Sequence, residues 1–438
     1  MGNNDSHGVL CKFNEIFYDL CRLIEFITNF AYRHINNLLS MLNINEVFNA
    51  AAVLKGVARK TDIIPATALP VDCELYLKTE NLQLTGSFKL RGAYYKISQL
   101  TDEEKAKGVI ACSAGNHAQG VALGATRNGI KALICLPAGA PISKIEATKR
   151  YGAEVCLVPG VYDDAYAKAV ELRDEYGYTF VHPFDDEKVI AGQGSIGLEI
   201  LEQLPEVEAV VVPVGGGGLI AGVAFAIKSL RPDIKVYGVQ AKGAPSMEHS
   251  IRAGERVRLD SVSTIADGIA VKEPGSLTYE LCKKYVDEFV TVSDDETAAA
   301  ILALMERQKV VAEGAGAVAV AAVMFDKLPV AGKKVVCIVS GGNIDVNTLN
   351  RVITRGLAKS GRNYTFIIEL PDKPGQLAGV MDVIAEQSGN IISVTHERLN
   401  TNTEINGCSI RVELETRDSD HIEQIRRALC SVGFNVLN

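Results

Sequence analysis

Lys89 stands in the stretch Thr85-Gly86-Ser87-Phe88-Lys89-Leu90-Arg91-Gly92-Ala93, one lysine between small turn-forming residues and an apolar segment. A lysine amine attacks carbonyl compounds only when neutral, and burial, a cationic neighbour or a helix N-terminus lowers its pKa toward that state. Phe88 and Leu90 could supply the burial, which makes Lys89 a candidate covalent catalyst. Taken alone, the same triplet reads more simply as a solvated lysine in an amphipathic setting. Three further stretches shift the balance, because each offers a different part of what an aldehyde cofactor with a phosphate tail requires.

The strand-like run Gly108-Val109-Ile110-Ala111-Cys112 leads into Ser113-Ala114-Gly115-Asn116-His117-Ala118-Gln119-Gly120. A strand that stops in small polar residues before a helix gathers unpaired N–H groups, which suits a carboxylate, and the Asn116 amide could hold a phenolic oxygen. An ordinary helix cap at Ser113 or Asn116 explains these residues equally well. The apolar run Ala209-Val210-Val211-Val212-Pro213-Val214 ends in Gly215-Gly216-Gly217-Gly218-Leu219. Four glycines let successive N–H groups converge at a helix N-terminus and hold a phosphate without any basic side chain. No Lys-Ser/Thr follows, which excludes a nucleoside triphosphate loop, and the Gly-x-Gly-x-x-Gly spacing of a dinucleotide site is missing, although such a fold stays open. The run Lys334-Val335-Val336-Cys337-Ile338-Val339-Ser340-Gly341-Gly342-Asn343 again stops in small residues. Its Ser340 hydroxyl lies at a strand's carboxyl end, where open α/β sheets place ligands, and could bond a ring nitrogen. Gly268 and Glu313, in a turn and at a helix start, either are structural or line the same cavity.

These stretches need a scaffold to bring them together. Strand patterns at 74–78, 131–136, 154–158 and 178–182, with helical spans around 90–100, 142–151 and 162–176, predict an α/β unit with a mostly parallel sheet covered on both faces. Val47, Ala50, Ala51 and Leu54 predict a helix ended near Lys55-Gly56. Residues 1–44 differ from the rest: apolar positions from Phe13 to Ala31 recur at helical spacing, and no uncharged run reaches bilayer length. Met1-Gly2-Asn3-Asn4-Asp5-Ser6 fits the N-myristoylation pattern, one short enough to arise by chance, and Met41 offers an alternative start. Beyond Lys359-Ser360-Gly361, residues 362–438 read strand, helix, strand, strand, helix, strand, a smaller separate unit.

At 438 residues, with 47% hydrophobic and 22% charged positions and 39 glycines, the composition is that of a globular enzyme with more than one core. A net charge of −8 and the lack of a basic run argue against nucleic acid. Ten cysteines without a Cys-x-x-Cys pair read as free thiols of a reducing, cytoplasmic compartment. The seven histidines show no helical i, i+4 pair and no cysteines nearby at zinc spacing, so no metal is expected.

Taken in order, the Lys89 segment, the Ser113 to Gly120 run, the Gly215 to Leu219 loop and Ser340-Gly341-Gly342-Asn343 resemble the motifs of the fold type II pyridoxal-phosphate enzymes. Over residues 45–438 the chain is most similar to the threonine dehydratase, or threonine ammonia-lyase, family. That resemblance implies a catalytic domain at 45–361 of two open, mostly parallel sheets, with a small subdomain at about 86–152 inserted. It implies pyridoxal 5′-phosphate joined to Lys89, with Phe88 beside its ring, Asn116 on its phenolic oxygen, Gly215, Gly216, Gly217, Gly218 and Leu219 on its phosphate and Ser340 facing its pyridine nitrogen. Ser113, Gly115, Asn116 and His117 would surround the carboxylate of an amino-acid substrate. A neutral serine partner leaves the pyridine a weaker electron sink and favours β-elimination, here of L-threonine to 2-oxobutanoate and ammonia, with L-serine as a side substrate. The related serine racemases carry a serine just before the Gly-Asn of this loop; Ala114 stands there and lowers that reading.

For residues 362–438 the resemblance implies a ferredoxin-like ACT domain in which Gly375, Gln376, Leu377 and Asn390 border a pocket for an amino-acid or nucleotide effector, unless the unit is a plain dimerisation sheet. A homodimer or homotetramer is implied, serving isoleucine biosynthesis or threonine breakdown, with neither nucleic acid nor membrane as partner. A nicotinamide-dependent oxidoreductase and a non-catalytic amino-acid sensor are the readings from other classes.

Overall fold

The structure, a computed structural model, describes residues 42–398 and 406–438. The helical extension expected over residues 1–44, the myristoylation-like start and Met41 lie outside the described residues, except that Asn43 caps the helix Ile44–Leu54 with its side chain. The helix predicted from Val47 onward is this one, and it stops one residue before Lys55.

Three sheets carry the fold. The largest runs in the order β1 (Ile63–Pro65), β2 (Glu74–Lys78), β10 (Lys334–Ile338), β7 (Ala209–Pro213), β8 (Lys235–Ala241) and β9 (Glu288–Val292); β1 is antiparallel and the other pairings are parallel. A smaller, wholly parallel sheet runs β5 (Glu154–Val158), β4 (Ala132–Pro137), β3 (Val109–Cys112), β6 (Thr179–Phe180). Strands β3 and β7 are buried at every position, the continuous apolar pattern of strands covered on both faces. The small sheet takes strands as far as Phe180, so the inserted unit extends beyond the expected limit near 152. A parallel sheet is built by helical crossovers, and β5 comes only after two of them and β6 after three.

The third sheet, β12 (Asn390–Glu397), β13 (Gly407–Glu415), β11 (Asn363–Pro371) and β14 (Asn435–Val436), is antiparallel, with helices Gln376–Glu386 and Ser419–Ser431 between its strands in chain order. Alternation places Phe366, Ile368 and Leu370 against Val380, Ile384, Ile422, Ile425 and Leu429 in one core. The strand and helix order is the one predicted for residues 362–438.

The helix Lys89–Ser98 is held from two sides. Gly92 crosses Gly192 of the helix Glu187–Gln203 so closely that a Cβ on Gly192 would lie 2.6 Å from the Gly92 Cα. On its other side a Cβ on Gly120, in the helix Asn116–Arg127, would lie 3.0 Å from the Lys89 carbonyl carbon. Below Lys89, the Arg91 guanidinium forks onto Glu80 and Glu199, and Lys78 reaches Glu199 at 2.6 Å. Burial would push the Glu80 carboxyl up, but Arg91 and Lys78 outweigh it and hold Glu80 below the usual carboxylate range. Two cations and two anions thus compensate one another under the catalytic motif.

The predicted strand at 178–182 shrinks to Thr179–Phe180, because His182 turns out of the sheet and its Nδ1 accepts from the N–H groups of Phe184 and Asp185. The helix Glu187–Gln203 was not expected from its sequence. Its Gly192, Gly194 and Gly197, unfavourable to a helix by propensity, are the points where neighbouring helices approach. Eight cysteines fall among the described residues and all are free thiols.

Candidate active site

Parallel pairing aligns β7 and β10 so that Val211 lies opposite Cys337, and the chain leaves both strands on the same side. Gly215 therefore emerges beside Ser340. Among the described residues, none of the N–H groups of Gly215, Gly216, Gly217, Gly218 and Leu219 has a hydrogen-bond partner. The Gly216 carbonyl is turned away and accepts from the Thr278 hydroxyl at 2.6 Å and from Gly275 N–H. Gly217 sits at φ +98°, a left-handed conformation that lets the chain fold back into the helix Gly218–Leu230. Phe184 closes the loop from outside: a Cβ on Gly216 would lie 2.5 Å from its ring. The result is an N–H cradle at a helix start, the arrangement that holds phosphate.

Lys89 begins its helix in place of the predicted Leu90. Its Nζ donates to the Pro183 carbonyl at 2.7 Å and lies 5.3 Å from the centre of the Phe88 ring. Pro183 precedes Phe184, so the amine and the glycine cradle flank one short segment. Burial lowers the Lys89 pKa to about 8, against the pull of the nearby Glu313 carboxylate. Phe88 itself is fixed by its N–H donating to the Ser340 carbonyl at 3.1 Å. The Ser340 hydroxyl is buried and makes a long 3.3 Å bond to the Ala315 carbonyl.

Asn116 opens the helix Asn116–Arg127 and joins three of the predicted stretches. Its Nδ2 donates to Glu313 Oε1 at 2.6 Å and its Oδ1 accepts from Asn343 Nδ2 at 2.8 Å; Asn343 also donates to the Thr85 carbonyl. Glu313 caps the helix Gly314–Met324 and is buried; burial, with Asp267 nearby, raises its pKa to about 7. A Cβ on Gly268 would lie 3.5 Å from Glu313 Oε1, so these two residues lie side by side. Ser113, whose hydroxyl accepts from Gly115 N–H at 3.2 Å, lies in the same loop.

His117 is the exception among the loop residues. Its side chain points inward, its Nε2 lies 2.8 Å from the Val181 carbonyl, and burial plus the nearby Lys89 push its pKa down to about 3. Only its backbone N–H faces the helix start. Asn390 is likewise apart from the other three effector residues: Gly375, Gln376 and Leu377 line a cavity that it does not reach, and its Nδ2 bonds Glu415 at 2.7 Å. It sits at the opposite end of β12, because the strand runs its full length before the cavity begins.

Sequence reasoning missed the segment His182 to Asp185. Asp185 accepts from the N–H groups of Ser276, Leu277 and Thr278, so it places the hydroxyl that ties down Gly216. The only signal was a histidine followed by proline after a strand.

A buried amine with a lowered pKa, set against a cradle of free N–H groups at the carboxyl ends of parallel strands, defines an enzyme class that holds a phosphorylated carbonyl cofactor. The donor set fits pyridoxal phosphate: the cradle suits a phosphate, and Lys89, Asn116 and Ser340 offer an amine for its aldehyde, an amide for its phenolic oxygen and a hydroxyl for its ring nitrogen. The chain belongs to the pyridoxal-phosphate dependent enzyme family, whose model matches residues 54–341. It is similar to the L-threonine ammonia-lyase of Thermotoga maritima, 52% identical over 398 residues that make up 90% of this chain and 99% of the relative. Among solved structures, the processed form of threonine deaminase isoform 2 from Solanum lycopersicum matches with a TM-score of 0.67 and 40% identity, covering 71% of this chain and 88% of its own. Maize serine racemase matches with a TM-score of 0.67 and 35% identity, covering 72% and 98%.

Proposed function

We propose that this enzyme eliminates water from L-threonine, and less readily from L-serine, releasing ammonia and 2-oxobutanoate or pyruvate. The observation that carries the reading is that the Lys89 amine bonds the Pro183 carbonyl while the next residue, Phe184, packs on Gly216 of the loop whose N–H groups are unpaired among the described residues. When bound, pyridoxal phosphate supplies an electron-withdrawing ring that acidifies the α C–H of an attached amino acid and so lets a β-hydroxyl depart. The glycine cradle anchors the phosphate. Lys89, a base with a pKa near 8, takes the α proton and holds it at Nζ. Ser340 offers the ring nitrogen a neutral partner in place of its long bond to Ala315. The loop that starts at Ser113 presents the N–H groups of Ala114, Asn116 and His117, unpaired among the described residues, to the substrate carboxylate, and burial raises the carboxyl pKa of Glu313, which Asn116 holds, to about 7. Ala114 offers no acid for the second face of the α carbon, which argues against racemisation.

Residues 45–361 form the catalytic part on this reading, and residues 362–438 an ACT-type unit that senses an amino acid or nucleotide through Gly375, Gln376 and Leu377. The order of strands and helices and the cavity beside those three residues support it. We place the enzyme in the cytoplasm as a homodimer or homotetramer; among the described residues no helix is long and apolar enough to cross a membrane.

The test combines a visible spectrum of the purified protein with an assay of 2-oxo acid release. Wild type should show the cofactor's absorption and form 2-oxobutanoate from L-threonine, and Lys89→Ala should lose both. Full turnover by that variant would refute the assignment.

A further inference from the structure

The C-terminal sheet gathers three metal-ligating side chains that the sequence keeps apart. Register explains the meeting: β11 pairs Leu370 with Cys408, and β13 pairs Ile410 with His396 of β12, so Cys408 and His396 lie at one end of the sheet where Asp372 follows β11. A carboxylate oxygen of Asp372, an imidazole nitrogen of His396 and Sγ of Cys408 lie within 4.8 Å of one another. All three line a cavity of about 460 Å³. We propose that Asp372, His396 and Cys408 bind one thiophilic divalent cation of the zinc class, with a fourth coordination position open to that cavity.

The donor set selects the ion. One sulfur, one nitrogen and one oxygen suit zinc or cobalt(II), whereas magnesium and calcium require oxygens throughout. A tetrahedral zinc holds its ligand atoms roughly 3.3–3.7 Å apart, so the three groups must close by about 1 Å. Cys408 is buried and fixed, while Asp372 and His396 are exposed and free to turn toward it. The backbone at Asp372 is anchored by its N–H on the Asn406 carbonyl at 2.8 Å. Arg398 holds one carboxylate oxygen of Asp372 at 3.2 Å and leaves the other for the cation, the orienting role of an outer-shell partner. Cys408 now donates to the Leu370 carbonyl at 3.5 Å; on binding, its S–H bond breaks, the proton passes to solvent and sulfur bonds the metal. The expectation of no metal rested on linear spacing, and these ligands come from three separate strand ends.

Zinc and cobalt(II) salts, added to the full-length holoenzyme, test the proposal. Zinc is followed by competition with a chromogenic chelator and cobalt(II) by difference spectra. One ion per chain is expected, with a thiolate-to-cobalt charge-transfer band that Cys408→Ser abolishes and an affinity that both Cys408→Ser and His396→Ala lower at least tenfold. His396 is exposed, so its variant reports even if Cys408→Ser folds poorly. Binding of unchanged affinity in the two variants would mean adventitious capture by other thiols and would overturn the proposal, as would the absence of stoichiometric binding to wild type.

Discussion

Burial does to Lys89 what its reaction requires: it lowers the amine's pKa from 10.5 to about 8. The neutral amine is the form that captures an aldehyde, so cofactor uptake by the stripped enzyme should accelerate as pH rises to about 8 and level off above it, as stopped-flow absorbance would show. The same shift affects stability. Between about pH 8 and 10.5 the unfolded chain binds the proton that the folded one has lost, so the cost of the buried cation is full below 8 and fades toward 10.5. Lys89→Met should therefore stabilise the cofactor-free protein at pH 7 by on the order of 1–3 kcal/mol, a gain absent above pH 10.5 in thermal melts. The four glycines stand out from their own neighbours, whereas Lys89 reads as a solvated lysine until the three distant stretches are set beside it. The Glu313–Asn116–Asn343 chain was only partly legible, since those residues meet only in the fold. The direction of the His117 ring, inward onto the Val181 carbonyl, was not legible, because a sequence shows that a residue sits at a loop and not which way its side chain turns.

At the scale of elements, glycines decide how closely helices and loops approach. Gly216→Ala would drive a methyl group into the Phe184 ring and displace the cradle, so the cofactor's dissociation constant should rise at least about tenfold, or 1.4 kcal/mol, by equilibrium dialysis. The unexpected helix Glu187–Gln203 shows the same principle: intrinsic propensity counts glycine against a helix, but close packing on Gly92 and Gly222 overrides it. Under the Lys89 helix, Arg91→Met would strand Glu80 as an unpaired buried anion. Removing one partner of such a pair costs about 3–5 kcal/mol, a loss that calorimetry should record as a lower melting temperature even with cofactor bound.

Across the whole molecule, the parallel sheets were readable from the alternation of apolar strands and helices, whereas their strand order was not, because pairing partners are set by crossovers that leave no local mark. The maize racemase structure is covered over 98% of its length by 72% of this chain, so a comparable catalytic unit exists without the remainder. A chain ended at Gly361 should accordingly turn over L-threonine while losing any response to amino acids or nucleotides, measurable by steady-state rates with each added. The position of β10 between β2 and β7 has a further consequence for biosynthesis. The ribosome makes β2 early and β10 near the end of the catalytic part, so a nascent chain must wait with an open seam in its central sheet until Ser340 has emerged. Such long-range closure is slow, and prematurely terminated chains would present that seam to chaperones and proteases with no finished pocket to shelter it.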